Sequence, residues 1–370
     1  MIRIERRVDQ PNWVKIAVPV GSLLVALLLG GVLLLATGHS PTPTYRLLLE
    51  RGFTSQGAFT ATLTAATPLL FTGLCASVAF RMKIFNIGGE GQLIMGAIGA
   101  SAAGLAIGDG PLAITVIAMV GAGALCGAAW AAIAGALRAW ANTNEIITTL
   151  MLNYLATYLA TYLVFGSNSY WRKLDGTGKM FPQGKPLPLS AHWPTVDFGN
   201  FTVGLGFFIG TLIAISLYVV FRSTRFGFQV KVIGDEPRAA RYAGMRTKRT
   251  IFGLMALSGA IAGIGGAADV GDTRFILDPK ALSQVGYGYA GIVVAALARL
   301  NPIAVVFVSI LMGGLANAGR ALQGPDFPAG LVGTLQGLLL VSALAGELFV
   351  SYRIRLTRQP ADDAATAVAA

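Results

Sequence analysis

Phe85-Asn86-Ile87-Gly88-Gly89-Glu90-Gly91-Gln92-Leu93 sets one carboxylate, two amides and three glycines at the head of a long apolar run. A charged side chain in the middle of a membrane helix costs about 2.5–3.5 kcal/mol on insertion scales, so a buried Glu90 demands a partner. The glycines lower helix propensity and expose backbone groups, which a membrane protein tolerates only against protein or a water-filled cavity. If the stretch is helical, Asn86 and Glu90 lie four apart on one face. Two readings follow. Either this is a broken helix lining a substrate path, or it is an interfacial helix start with Glu90 near the headgroups, paired to Arg81 or Lys83.

Outward from that stretch, the composition is that of a membrane protein. Of 370 residues, 54% are hydrophobic and 12% charged, against about 25% charged in soluble domains. Mean hydropathy is +0.65. Apolar stretches long enough to cross a bilayer lie near 15–37, 58–80, 86–107, 111–137, 145–166, 201–221, 250–268, 284–299, 302–320 and 328–350. The predicted fold class is therefore all-α, a polytopic membrane protein with about ten transmembrane helices. The first run follows Arg3, Arg6 and Arg7 but is longer than a signal-peptide core and lacks a small-residue cleavage site, so it reads as a retained helix. A cytoplasmic N-terminus (1–14), a transmembrane domain (15–350) and a cytoplasmic tail (351–370) follow.

The net charge of +11 is an orientation signal rather than a nucleic-acid signal. With both termini in the cytoplasm, 19 of the 28 Lys and Arg residues fall inside and 9 outside, as the positive-inside rule requires. The loop over 167–200 then lies outside, and its Tyr170, Trp171 and Trp193 predict a short helix on the membrane surface. The segment 222–250 is the longest cytoplasmic connection.

Two further polar segments stand out. In Asn142-Thr143-Asn144-Glu145, Thr143 or Asn144 is placed to cap a helix, and Glu145 sits well near its positive end. Asn153, two turns deeper, needs an interhelical partner or a cavity. In the cytoplasmic segment, Asp235 and Glu236 lead into Pro237, a good first helical residue, and Gly244 stops the helix after about two turns. Ala239, Ala240 and Ala243 give it a small-residue face. So short a helix is unstable alone and must dock on something.

Much chemistry is excluded. No Gly-x-x-x-x-Gly-Lys-Ser/Thr phosphate loop is present, so the chain does not bind ATP by that route. Cys75 and Cys126 lie in apolar runs and make no disulfide framework, and His39 and His192 are the only histidines. The pairs Gly123/Gly127, Gly206/Gly210, Gly259/Gly263 and Gly333/Gly337 have the spacing that lets helix backbones approach, and they read as packing sites. The chain reads as no enzyme, with no metal site and no cofactor of its own.

Together, these segments resemble the permease subunits of ATP-binding-cassette importers for sugars and nucleosides, the binding-protein-dependent, branched-chain/ribose-type family, most closely its nucleoside branch. The resemblance rests on Phe85 to Gln92, on Asn144 to Asn153, on Gly234 to Gly244, and on Gly286-Tyr287-Gly288-Tyr289 through Leu297 with Asn301-Pro302. It spans about 69–348, and the first motif is its most specific part. It implies a type II-like importer permease fold with two pseudo-repeated halves, in which the segments near Asn86 and near Gly288 hold comparable places. It also implies a second, related permease chain (a heterodimer), an ATPase with two nucleotide-binding halves holding ATP and Mg, and a periplasmic or lipoprotein receptor. Asp235, Glu236, Pro237, Ala239, Ala240, Ala243 and Gly244 then form the coupling helix on the ATPase. Asn86, Glu90, Gln92 and Asn153 are the candidates for the translocation path.

The expected function is ATP-driven import of nucleosides or related small polar solutes across the inner membrane by alternating access. A simple-sugar or vitamin importer permease is the alternative within that class. Outside it stand an ion-coupled secondary transporter using Glu90 and Glu145 as proton carriers, and a polytopic membrane enzyme for which no nucleophile motif is present.

Overall fold

The computed structural model describes residues 2–6, 12–322 and 352–356, with 330, 333–334, 337–338, 341–342 and 345. The predicted last span, 328–350, and the end of the tail therefore fall largely outside the described residues. The chain divides into two compact units, Arg46–Phe327 and a second made of Met1–Tyr45 with Pro328–Ala370. In the second unit, strand β1 (Ile2–Arg6) pairs antiparallel with β4 (Tyr352–Leu356), and helix α1 (Asn12–Ala36) follows β1.

In the larger unit, α3 (Ala58–Phe80) is the central helix: nearly every residue from Ala65 to Ala79 is buried. Around it pack α10 (Thr247–Ala268), α12 (Tyr287–Leu297) and α13 (Pro302–Leu322). A second layer is formed by α4 (Gly89–Ile107), α5 (Leu112–Ala141) and α10. Their close approach is set by glycine. A Cβ on Gly263 would lie 2.1 Å from the Gly123 carbonyl, and one on Gly127 would lie 2.3 Å from that of Gly259. The two glycine pairs thus serve as the contact surface their spacing implies. More exposed are α6 (Glu145–Thr161) and α7 (Leu205–Ser223).

Seven helices among the described residues are long and apolar enough to cross a membrane, eight if Leu24–Ala36 and Pro41–Thr54 form one broken span. The expected count of ten is not reached there. The apolar run at 284–299 is interrupted at Gly286, whose φ of +65° ends the short helix α11 (Pro279–Val285). The 11-residue α12 that follows is only about 16 Å long, half the hydrocarbon thickness. It is a half-helix, not a span.

The loop over 167–200 also departs from expectation. Instead of a helix on the membrane surface it forms two 3₁₀ turns, Gly176–Lys179 and Leu189–Ala191, and a small hairpin of β2 (Thr195–Asp197) and β3 (Thr202–Gly204). Its tryptophans turn inward. The Trp171 indole N–H donates to the Ile98 carbonyl at 3.1 Å, and the backbone N–H of buried Trp193 donates to the Gly271 carbonyl at 2.9 Å. The two tryptophans are thus held against the protein, while Tyr170 stays exposed.

Candidate functional site

Between Phe80 and Gly89 the chain is not helical. After the turn at Arg81-Met82-Lys83, where Lys83 takes φ +58°, residues 84–88 follow an irregular path into the protein, and α4 begins at Gly89. Buried non-helical backbone must find its bonds elsewhere in the protein, and here side chains supply them. The Asn86 carbonyl oxygen accepts from the Gly88 N–H at 2.9 Å, and the Asn153 amide donates to the Ile87 carbonyl at 2.9 Å. Thr149 accepts from Ile87 N–H, and the Asn153 carbonyl oxygen accepts from Gly91 N–H at 2.9 Å. Asn153, about 12 Å along α6, fixes the depth of the break.

The amides also bind each other. Asn86 donates to the Gln92 carbonyl oxygen at 3.1 Å and Gln92 donates back to Asn86 at 3.0 Å. Asn86 further donates to Ser258 at 2.9 Å, and the Cys75 thiol contacts Gln92 and Ser258. Asn86, Gln92 and Asn153 are each 3% exposed or less, so in this conformation their hydrogen bonds are spent on the chain itself. Asn86 lies outside α4, so it does not share a helical face with Glu90.

Glu90 meets neither Arg81 nor Lys83. Arg81 donates to the Leu300 carbonyl at 2.8 Å and stacks over Phe221, while Lys83 pairs with Asp235 at 3.1 Å. The partner of Glu90 is the Gly288 backbone N–H, 2.5 Å from Oε2, in the first turn of α12. A carboxylate there meets the positive end of the helix dipole and an otherwise unpaired N–H. Only glycine fits opposite it, since a Cβ on Gly288 would lie 2.1 Å from the Glu90 nitrogen. The two glycine-interrupted segments thus touch. The second carboxylate oxygen, Oε1, is buried without a partner.

Asn144 caps α6, accepting from Ile146 N–H at 2.9 Å and Ile147 N–H at 3.4 Å. Glu145, in the first turn, pairs with Arg138 at 3.3 Å and accepts from Phe85 N–H at 3.4 Å.

The segment 222–250 folds largely as α8 (Arg225–Asp235) followed by α9 (Pro237–Tyr242). Glu236 caps α9 by accepting from Arg238 N–H, Pro237 is its first residue, and Gly244 turns away at φ +72°. The alanine face is divided. Ala240 is fully buried against the body, whereas Ala239 and Ala243 point outward. Beside them Arg238, Arg241 and Tyr242 line a shallow depression of about 310 Å³, and Tyr242 is 94% exposed. The base of this segment rests on the turn that precedes Asn86. A Cβ on Gly234 would lie 2.9 Å from both the Arg81 carbonyl and the Met82 Cα, and Asp235 holds Lys83.

One charged cluster escaped the sequence reading. Beyond α10 a π-helical turn, Asp269–Arg274, carries a buried ion pair, Arg274 to Asp269 at 2.6 Å. Its Asp272 accepts from Gly206 N–H at the start of α7 at 2.8 Å. The available signal was three charges in six residues directly after a glycine-rich apolar run, a stretch that reads equally as a loop. Among the described residues, no three His, Cys, Asp or Glu side chains gather to hold a metal ion.

Comparison with known proteins places this architecture. The glucose ABC transporter permease protein TsgB13 of Haloferax volcanii is 31% identical over 95% of this chain and 93% of its own length. The nucleoside ABC transporter permease protein NupB of Lactococcus lactis is 29% identical over 86% of this chain and 87% of its own. The guanosine ABC transporter permease protein NupP of Bacillus subtilis is 31% identical over 80% and 84%. Residues 58–344, which hold both the interrupted helices and the α8–α9 segment, match the family described as branched-chain amino acid transport system / permease component, and the chain belongs to that family of multi-pass ABC transporter permeases.

Proposed function

We propose that this chain is one transmembrane subunit of an ATP-driven importer that carries nucleosides or related small polar solutes inward by alternating access. The observation that carries the reading is the connection between α9 and the polar core. The exposed face of α9 is a docking surface for a cytoplasmic ATPase, and the end of α8 directly before it, Gly234-Asp235, presses on Arg81-Met82-Lys83, only three residues from Asn86. A displacement of α9 reaches the break in the membrane through contacts already in place. The proposal requires that the two states differ in those contacts, since docking alone shifts no equilibrium.

In this reading ATP and Mg belong to the ATPase, a second related permease completes the path, and a periplasmic or lipoprotein receptor delivers the solute. Asn86, Glu90, Gln92 and Asn153 border the translocation path by holding the broken start of α4 in place. The chain lies in the inner membrane with its termini in the cytoplasm. The charge asymmetry of the loops supports that orientation, as does the pairing of β1 with β4, which keeps the two described terminal strands on one side.

Ala240→Asp with Gly244→Pro tests the coupling role. The expected result is loss of ATP-dependent uptake with normal insertion, and normal uptake by that variant would remove the role given to α9. A simple sugar is the second reading, favoured by the similarity to the glucose permease over nearly the whole chain. Competition of labelled adenosine uptake by unlabelled nucleosides and by ribose or glucose separates the two.

A further inference from the structure

Three membrane helices, α5, α6 and α7, turn most of their surface away from the rest of the chain, and they are not alike. The exposed large residues of α5 are Leu112, Ile114, Ile117, Leu125, Ile133 and Leu137, with Trp140 at its end. Those of α7 are Phe208, Leu212, Ile215 and Val219. Both are surfaces for lipid. On α6, Ile147, Met151 and Leu155 are exposed in the same way, but beside them Tyr154, Tyr158 and Tyr162 stand at successive four-residue intervals, 53%, 69% and 59% exposed, and so form one stripe.

Tyrosine favours the membrane interface, and that preference accounts for Tyr162 near the outer end of the Glu145–Gly166 span. It does not account for the other two. At 1.5 Å per residue Tyr154 and Tyr158 lie about 13 and 19 Å along a span of about 33 Å, in its middle third. Among the described residues neither hydroxyl has a hydrogen-bond partner, and lipid tails would supply none. The polar core begins one residue from the stripe: Asn153, directly before Tyr154, donates to the hydroxyl of Tyr289 of α12 at 3.4 Å, and Tyr289 is itself 42% exposed.

We propose that Tyr154 and Tyr158 form a wall of the translocation path on which a nucleobase slides, and that they set its preference for solutes with a flat aromatic face. Their rings offer stacking surface to any base, and their free hydroxyls meet water or the ribose hydroxyls. This rests on the nucleoside reading above and adds the residues that would select for it. Stacking on successive rings binds weakly at each, which suits a path that must release its cargo.

The test uses the complete transporter in membrane vesicles, with Tyr154→Cys and Tyr158→Cys probed by a charged, membrane-impermeant methanethiosulfonate reagent. Wild type, carrying Cys75 and Cys126, gives the background, and Ile117→Cys on α5 is the lipid-facing control. The expected result is labelling of both α6 variants by the water-borne reagent, slowed several-fold by guanosine or adenosine but not by glucose. Absence of labelling by the charged reagent, as for Ile117→Cys, would assign the stripe to lipid or to a dry contact with the second permease and overturn the proposal. In parallel, Tyr158→Leu should raise the KM for nucleoside uptake about tenfold while Tyr158→Phe stays near wild type; an unchanged KM in the leucine variant contradicts stacking. Should wild-type vesicles take up glucose but no nucleoside, the substrate reading and the nucleobase fall together. Water-borne labelling protected by glucose would then still mark the stripe as the wall of a path.

Discussion

Glu90 separates two accounts of what a buried carboxylate does in this protein, and a substitution series at that position distinguishes them. Oε2 accepts one short hydrogen bond from Gly288 N–H and Oε1 has no partner, with the side chain 4% exposed. If its work is to hold the first turn of α12 against the start of α4, what matters is an acceptor at that point, not the charge. Glu90→Gln keeps the acceptor, loses the cost of a buried charge and gains an amide with few partners. Its stability should fall within about 1 kcal/mol of wild type. Glu90→Ala removes the acceptor, strands a buried N–H and leaves a gap, for a loss of about 2–3 kcal/mol. Glu90→Asp, one methylene short of the 2.5 Å contact, should lie between. The assay pairs thermal unfolding in detergent with ATP-driven uptake in vesicles. The expected order for both is wild type close to Gln, then Asp, then Ala. A Glu90→Gln protein that is as stable as wild type yet transports nothing would refute this reasoning, because a group that only holds the fold does not fail in that way. The ion-coupled account would then regain its ground.

Two further substitutions test the packing. Gly263→Val puts a side chain where even a Cβ lies 2.1 Å from the Gly123 carbonyl, so α5 and α10 must separate, and a fall of at least about 1–3 kcal/mol should appear as a lower unfolding midpoint. Gly253→Ala on the same helix meets nothing within 4 Å and should leave the midpoint unchanged or raised. Arg274→Ala leaves Asp269 buried without its ion partner and should destabilise by about 3–5 kcal/mol, while Arg274→Met with Asp269→Asn recovers most of the loss in the same measurement.

Local features were legible in the sequence, and features depending on distant partners were not. Asn144 as a cap, Pro237 as a helix start and Gly244 as its stop follow from rules that reach three or four residues, and each is found in place. The interfacial reading pairs Glu90 with Arg81 or Lys83, its nearest cations in sequence, yet its partner is a backbone group 198 residues away. A backbone N–H carries no residue type by which sequence could signal it. The run at 284–299 looked like a span because hydropathy does not register that Gly286 takes a left-handed conformation and divides it. On α9, the alanine spacing showed a small-residue face but not which alanine faces the body, since a six-residue helix is oriented by what it rests on.

The polar residues of a membrane span look alike in a hydropathy profile, and the structure divides them by whether their hydrogen bonds close within the chain. Asn86, Gln92 and Asn153 close theirs and hold non-helical backbone inside the protein, so their removal should register first as lost fold. Among the described residues Tyr154 and Tyr158 leave theirs open at the middle of α6, whereas the exposed large residues of α5 and α7 carry almost only hydrocarbon. An open polar group at that depth carries a cost that persists unless water, solute or another chain arrives to meet it. The closed network therefore determines where the helix breaks, and the open hydroxyls mark the side of the subunit from which something polar must come.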